Sequence, residues 1–128
     1  MIRAGRKRGA ALVELALVIM FLMIVLLGII DYGYIFFVHN SMVNAAREGA
    51  RAAAVRDATA DEAQKAVESQ LKQFPIKFKV QVSIPQGNGA GKDVKVQVST
   101  PVKDVSFGFI DIGELRTEVT MRRESGST

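Results

Sequence analysis

Ala10-Ala11-Leu12-Val13-Glu14-Leu15-Ala16-Leu17-Val18-Ile19-Met20-Phe21-Leu22-Met23-Ile24-Val25-Leu26-Leu27-Gly28-Ile29-Ile30 is a run in which Glu14 is the sole ionisable residue. As a helix rising about 1.5 Å per residue it is about 31 Å long, enough to cross the hydrocarbon core of a bilayer. The basic tip Arg6-Lys7-Arg8-Gly9 precedes it, and Glu14 follows Gly9 by five positions. A carboxylate here is costly: insertion scales put an acidic residue at a bilayer centre at about 2.5–3.5 kcal/mol, less toward the edge. An ionisable group in such a run points to function, and it asks for a charge partner.

The flanks set an orientation. Arg3, Arg6, Lys7 and Arg8 lie before the run, and no Lys or Arg occurs between Asp31 and Ala46. Positive charge is retained on the cytoplasmic side, so the N-terminus is expected inside and the C-terminal region outside. Tyr32, Tyr34, Phe36 and Phe37 fall where an aromatic interfacial belt belongs, and His39 reads as a polar residue at headgroup level. A cleaved secretory signal has a shorter apolar core followed by a small-residue cut site, and no convincing Ala-x-Ala lies between Gly28 and Gly33. A plain one-pass anchor accounts for the run and its flanks, but leaves Glu14 and the Gly9 spacing unexplained.

Composition narrows the function classes. The chain has 128 residues, room for one small domain beside a membrane segment, and a net charge of +4. Four of its 17 basic residues precede Ala10, which leaves 13 basic against 13 acidic and no net charge. A nucleic-acid partner calls for a basic stripe on the folded domain, and none is visible. There is no Cys and one His, so neither a Cys-based metal site nor a His-rich one is expected. Asp104, Asp111 and Glu114 have no evident catalytic partners, so no catalytic residue, cofactor or metal is expected.

Beyond the membrane the helix is expected to continue to about Val55, through an alanine-rich stretch of good helix formers. Gly28, Gly33, Ala45, Ala46, Gly49 and Ala50 are candidate packing positions, since small residues let other helices approach closely. A high-propensity juxtamembrane stalk accounts for the same composition. Glu48 and Arg51 stand three apart, the spacing of a helical ion pair. Thr59-Ala60-Asp61-Glu62 reads as a capping box opening a second helix, whose apolar stripe is Ala63, Ala66, Val67 and Leu71. Phe74 is expected to continue it and Pro75 to end it.

Strand patterns follow. Phe78, Val80, Val82 and Ile84 alternate with polar residues, as do Val94, Val96 and Val98 and then Leu115, Thr117, Val119 and Met121. The Gly-rich segment 85–91 is expected to turn the first two strands into a hairpin, and no Lys-Ser/Thr follows it to make a phosphate loop. Pro101 is expected to break the second strand. Residues 102–113 fit neither period and are expected to cover the core or lie on the membrane surface. Residues after Arg122 are expected to fray. The fold class is therefore α+β: a long N-terminal transmembrane helix extending into a small head of one helix on a roughly three-stranded antiparallel sheet. One helix on three strands buries little, so the exposed end of the long helix is the natural extra layer.

A basic leader ending in Gly9, four residues, then Glu14 and a long apolar helix resembles the processing signature of type IV prepilins. Gly28-Ile29-Ile30-Asp31-Tyr32-Gly33, Asn44-Ala45-Ala46-Arg47-Glu48-Gly49-Ala50-Arg51-Ala52 and the closing Val119-Thr120-Met121-Arg122-Arg123-Glu124 resemble the TadE-like family of Tad/Flp pilus assembly systems. The resemblance implies a minor pilin or pseudopilin of the bacterial inner membrane. It implies cleavage between Gly9 and Ala10 by a prepilin peptidase, and pairing of the new Ala10 amine with Glu14 of a neighbouring subunit. The expected partners are other pilin subunits, the peptidase, the inner-membrane assembly platform and the lipid bilayer. The corresponding division is a leader at 1–9, a membrane and assembly helix at 10–31, its extracytoplasmic extension at 32–55 and a head at 56–128. The competing reading is an uncleaved single-pass adaptor with an exported head.

Overall fold

A computed structural model describes residues 3–55, 58–85, 92–108, 110, 111 and 113–123, with side chains from Gly9 onward. Helix α1 runs unbroken over Arg3–Ala54, 52 residues, which at about 1.5 Å each is about 78 Å. It begins before Ala10, so Gly9 lies inside a helix rather than ahead of one. No proline interrupts it; the three prolines are Pro75, Pro85 and Pro101.

Helix α2 spans Ala60–Leu71. Its capping box closes both ways: the Glu62 N–H donates to Thr59 Oγ1 at 3.3 Å, and the Thr59 N–H donates to Glu62 Oε2 at 3.1 Å. Two of the four N-terminal amides or their flank thereby find acceptors without tertiary help. The helix stops at Leu71, before Phe74. The Phe74 N–H turns back to the Leu71 carbonyl at 3.0 Å, and its ring sits edge-on between Phe37 and Phe78, with centroids 5.7 and 6.2 Å away. Aromatic packing, rather than helix continuation, fixes Phe74.

Three strands, β1 (Lys79–Ser83), β2 (Asp93–Pro101) and β3 (Glu114–Arg122), form one antiparallel sheet in that order. Val80 pairs with Val98, and Val96 with Val119. The connecting turn at 86–91 and the tail at 124–128 lie outside the described residues. β2 is central, and its Val94, Val96 and Val98 are fully buried. Pro101 does not break β2 but is its last residue, opposite Glu114. A strand end tolerates the missing N–H.

The core forms where α1 and α2 lie across one face of this sheet. α1 contributes Val38, Met42, Ala45, Ala46, Ala50 and Ala53; α2 contributes Ala63, Val67 and Leu71. The opposite sheet face is polar, with Arg116 donating to Gln97 Oε1 at 2.6 Å and Lys95 lying 3.8 Å from Glu118. Glu48 and Arg51 are exposed and make no ion pair with each other. The architecture is the α+β plan expected, with the last third of α1 serving as a layer of the head. The stretch after β2 has more order than its mixed periodicity suggests: residues Val102–Val105 make one helical turn, α3, whose Val102 and Val105 are buried.

Candidate functional site

From Gly9 to Leu27 every residue of α1 is exposed, Leu12 at 67% and Phe21 at 65% among them. A surface of that composition is out of place in water and suits a lipid environment. The single long apolar N-terminal helix marks a membrane-anchored protein. Glu14 stands on this bare segment with no hydrogen-bond or ion-pair partner among the described residues. Ala10 is exposed one helical turn before it.

The small residues divide into two groups. Beside Gly28 and Gly33 a Cβ would meet nothing within 4 Å, so both present open backbone on the helix surface. Gly49 is enclosed: a Cβ there would overlap Val67 Cγ2 of α2 and lie 3.3 Å from the Ala63 carbonyl oxygen. Glycine at 49 is what lets α1 and α2 approach this closely. Ala45, Ala46 and Ala50 are fully buried beside it. These four residues thus contact the chain's own head.

Between the bare segment and the head stands Asp31, with no exposed surface. One carboxylate oxygen accepts the Ser106 hydroxyl at 2.7 Å, and the other accepts the Phe107 N–H at 2.9 Å. Ser106 Oγ in turn accepts the N–H groups of Gly108 and Ile110, each at 3.1 Å. Gly108 has φ +99°, which a side chain would oppose, and this conformation helps fold the loop back on Ser106. The loop is closed at its base where the Val102 N–H donates to the Gly113 carbonyl at 3.0 Å. Both carboxylate oxygens are therefore satisfied, as a buried carboxylate requires. The Tyr34 and Phe107 rings pack beside this contact with centroids 5.5 Å apart.

Asp31 was legible only in part. Asp31 lies within the Gly28–Gly33 motif and directly follows the apolar run, a position that assigns it no contact. Its signal is phase: Asp31, Ile35, Val38, Met42, Ala45, Gly49 and Ala53 follow a spacing of three and four, and Asp31 opens the stripe that faces the head.

A shallow groove of about 590 Å³ runs between α2 and β1, floored by Leu71, Phe74, Ile76 and Phe78 and rimmed by lysines. It gathers no catalytic arrangement. Among the described residues no cluster of three or more His, Asp or Glu has the spacing to hold a metal ion.

What the bare helix, its carboxylate and its docked head define is a membrane-anchored α+β protein. Residues 9–51 match the family model described as TadE-like protein, and over this segment the chain is similar to that family. The match starts at Gly9 and ends inside the alanine-rich end of α1, taking in Glu14, Asp31 and Gly49. No curated protein and no solved structure matches the chain.

Proposed function

We propose that the chain is a TadE-like minor pilin or pseudopilin, inserted in the bacterial inner membrane, cleaved after Gly9 and taken up into a Tad/Flp-type pilus. The observation that carries this reading is Glu14. It lies in the family-matched segment, on a bare apolar helix, and has no partner among the described residues. A carboxylate in that position is stabilised by a charge supplied from outside the fold.

Cleavage supplies that charge. A prepilin peptidase on the cytoplasmic side cuts the Gly9–Ala10 bond and leaves a free amine on Ala10. Gly9 is exposed with open space around it, and as a glycine it weakens the helix locally by about 0.5–1 kcal/mol relative to alanine. Both features suit access to the bond. In the assembled bundle the Ala10 amine of one subunit pairs with Glu14 of the next. Gly28 and Gly33 offer backbone against which neighbouring helices pack. Such a head-to-tail contact does not close on itself, and so it propagates a filament. On this reading residues 1–9 are the leader, 10–31 the assembly helix, 32–55 its extracytoplasmic extension and 56–128 the remainder of the head. The protein acts by assembling and not by turning over a substrate.

The mature N-terminus tests this. Protein extracted from membranes of cells with an active prepilin peptidase is expected to have an intact mass that begins at Ala10. Full-length protein in those membranes would overturn the pilin reading in favour of an uncleaved single-pass adaptor.

A further inference from the structure

Among the described residues, the large apolar side chains that stay strongly exposed lie on α1 between Leu12 and Phe37, with two exceptions, Val55 and Phe107. Val55 follows the end of α1. Phe107 belongs to the loop between β2 and β3, far away in sequence, and is 68% exposed. That loop is not free to choose its position. The Phe107 N–H is bonded to Asp31 and its ring packs on Tyr34, so the side chain is held beside the end of the apolar segment, near exposed Ile29, Ile30 and Tyr32.

We propose that Phe107 is a second membrane contact, seated in the boundary between lipid headgroups and acyl chains, and that the 102–108 segment docks the head onto the bilayer surface. The proposal rests on the reading of α1 as a membrane anchor. Depth follows from helix geometry. Glu14 and Asp31 are 17 positions apart, about 25 Å along an upright helix, while the hydrocarbon core is about 30 Å thick. With Glu14 at one edge, Asp31 lies about 5 Å inside the other, and whatever covers Asp31 lies there too. The cover is the Ser106–Phe107 turn. Aromatic side chains at that level are favoured, because a ring buries its apolar body at the acyl boundary. Exposed charges in and beside the loop, one basic (Lys103) against two acidic (Asp104 and Asp111), leave an acidic excess, so the contact is apolar rather than directed at anionic headgroups.

The chain contains no Trp, which makes single-tryptophan probes specific. The experiment uses full-length Phe107→Trp and Phe21→Trp variants in phosphatidylcholine vesicles, with bromine placed either near the carbonyl end or near the methyl end of the acyl chains. The expected result is quenching of both, with Trp at 107 losing more emission to the carbonyl-end bromines and Trp at 21 more to the deeper ones. Quenching at 21 without quenching at 107 overturns the proposal and leaves the anchor intact. An emission at 107 that is blue-shifted yet unquenched also overturns it, because the ring is then covered by protein, such as a second copy. Absence of quenching at both sites overturns the anchor reading itself, and the docking with it.

Discussion

Asp31 and Ser106 are 75 positions apart in the chain and 2.7 Å apart at their side-chain oxygens. The contact fastens the loop after β2 to α1 at the point where the helix leaves its apolar segment. Hydrogen bonds to a charged group contribute about 1.5–3 kcal/mol each. Asp31→Ala removes the acceptor from the Ser106 hydroxyl and the Phe107 N–H together, and is expected to destabilise the head by about 3–6 kcal/mol on that scale. Ser106→Ala removes the donor to Asp31 and also the acceptor of the Gly108 and Ile110 N–H groups, so it is expected to cost a comparable amount, and the two changes together less than their sum, since they remove a shared bond. Thermal unfolding of the four proteins in one detergent measures this. Strict additivity would show that the bond contributes nothing.

Gly49 and Gly28 are expected to respond oppositely to alanine. At 49 the new methyl meets Val67, and overpacking of a filled site costs about 1–3 kcal/mol. At 28, and equally at 33, there is open space, and replacing glycine inside a helix favours folding by about 0.5–1 kcal/mol. Monomer stability by thermal unfolding separates the two cases. A destabilised Gly28→Ala monomer would contradict the open surface at that position. If Gly28→Ala and Gly33→Ala fold well yet co-purify poorly with the subunits of a Tad-type pilus, those glycines are subunit contacts.

Thr59→Ala opens the capping box at one end, leaving the Glu62 N–H without its acceptor. The expected loss is about 0.5–2 kcal/mol, read as a lower unfolding midpoint. Thr59→Ser keeps the oxygen and is expected to stay near the parent. Equal behaviour of the two variants would show that the cap is not formed in solution.

Glu14→Leu is expected to leave the head unchanged, because Glu14 is exposed and has no hydrogen-bond or ion-pair partner among the described residues. It is also expected to insert at least as well, since a charge worth about 2.5–3.5 kcal/mol at mid-bilayer has gone. Incorporation into filaments is expected to fall for both Glu14→Leu and Glu14→Gln. The Gln variant keeps the shape and isolates the electrostatic part. Normal assembly of both would remove the Ala10–Glu14 pairing from the mechanism.

Much of this molecule was readable from local pattern. The apolar run, the Thr59–Glu62 box and the three valine-rich alternations each obey one short-range rule, and each became the element it specified. Phe74 misled because a phenylalanine continuing a helical stripe and one packing after the helix look alike without knowledge of Phe37 and Phe78. Residues 102–108 follow no period because tertiary bonds hold them, and one of their fixed points lies on another element at Asp31. Asp31 itself looked like the border of a membrane span. Its phase with Val38 and Met42 held the clue, but a charged residue at the head of an apolar stripe is easily read as the end of the stripe. Glu14 is the converse case: prominent in the sequence, and silent in the folded monomer.

One consequence follows from the unbroken course of α1. With no proline and no gap between Arg3 and Ala54, the same rod that carries the apolar anchor segment also forms a wall of the head. Such a rod has no joint at which twist is lost. A turn of the helix about its own axis inside a bundle, even one step between neighbouring grooves, swings the polar outer face of the sheet around by the same angle. The angular setting of subunits along a filament would then be written in the membrane, by the residues around Glu14 and Gly28, and displayed outside by Gln97, Arg116 and Glu118.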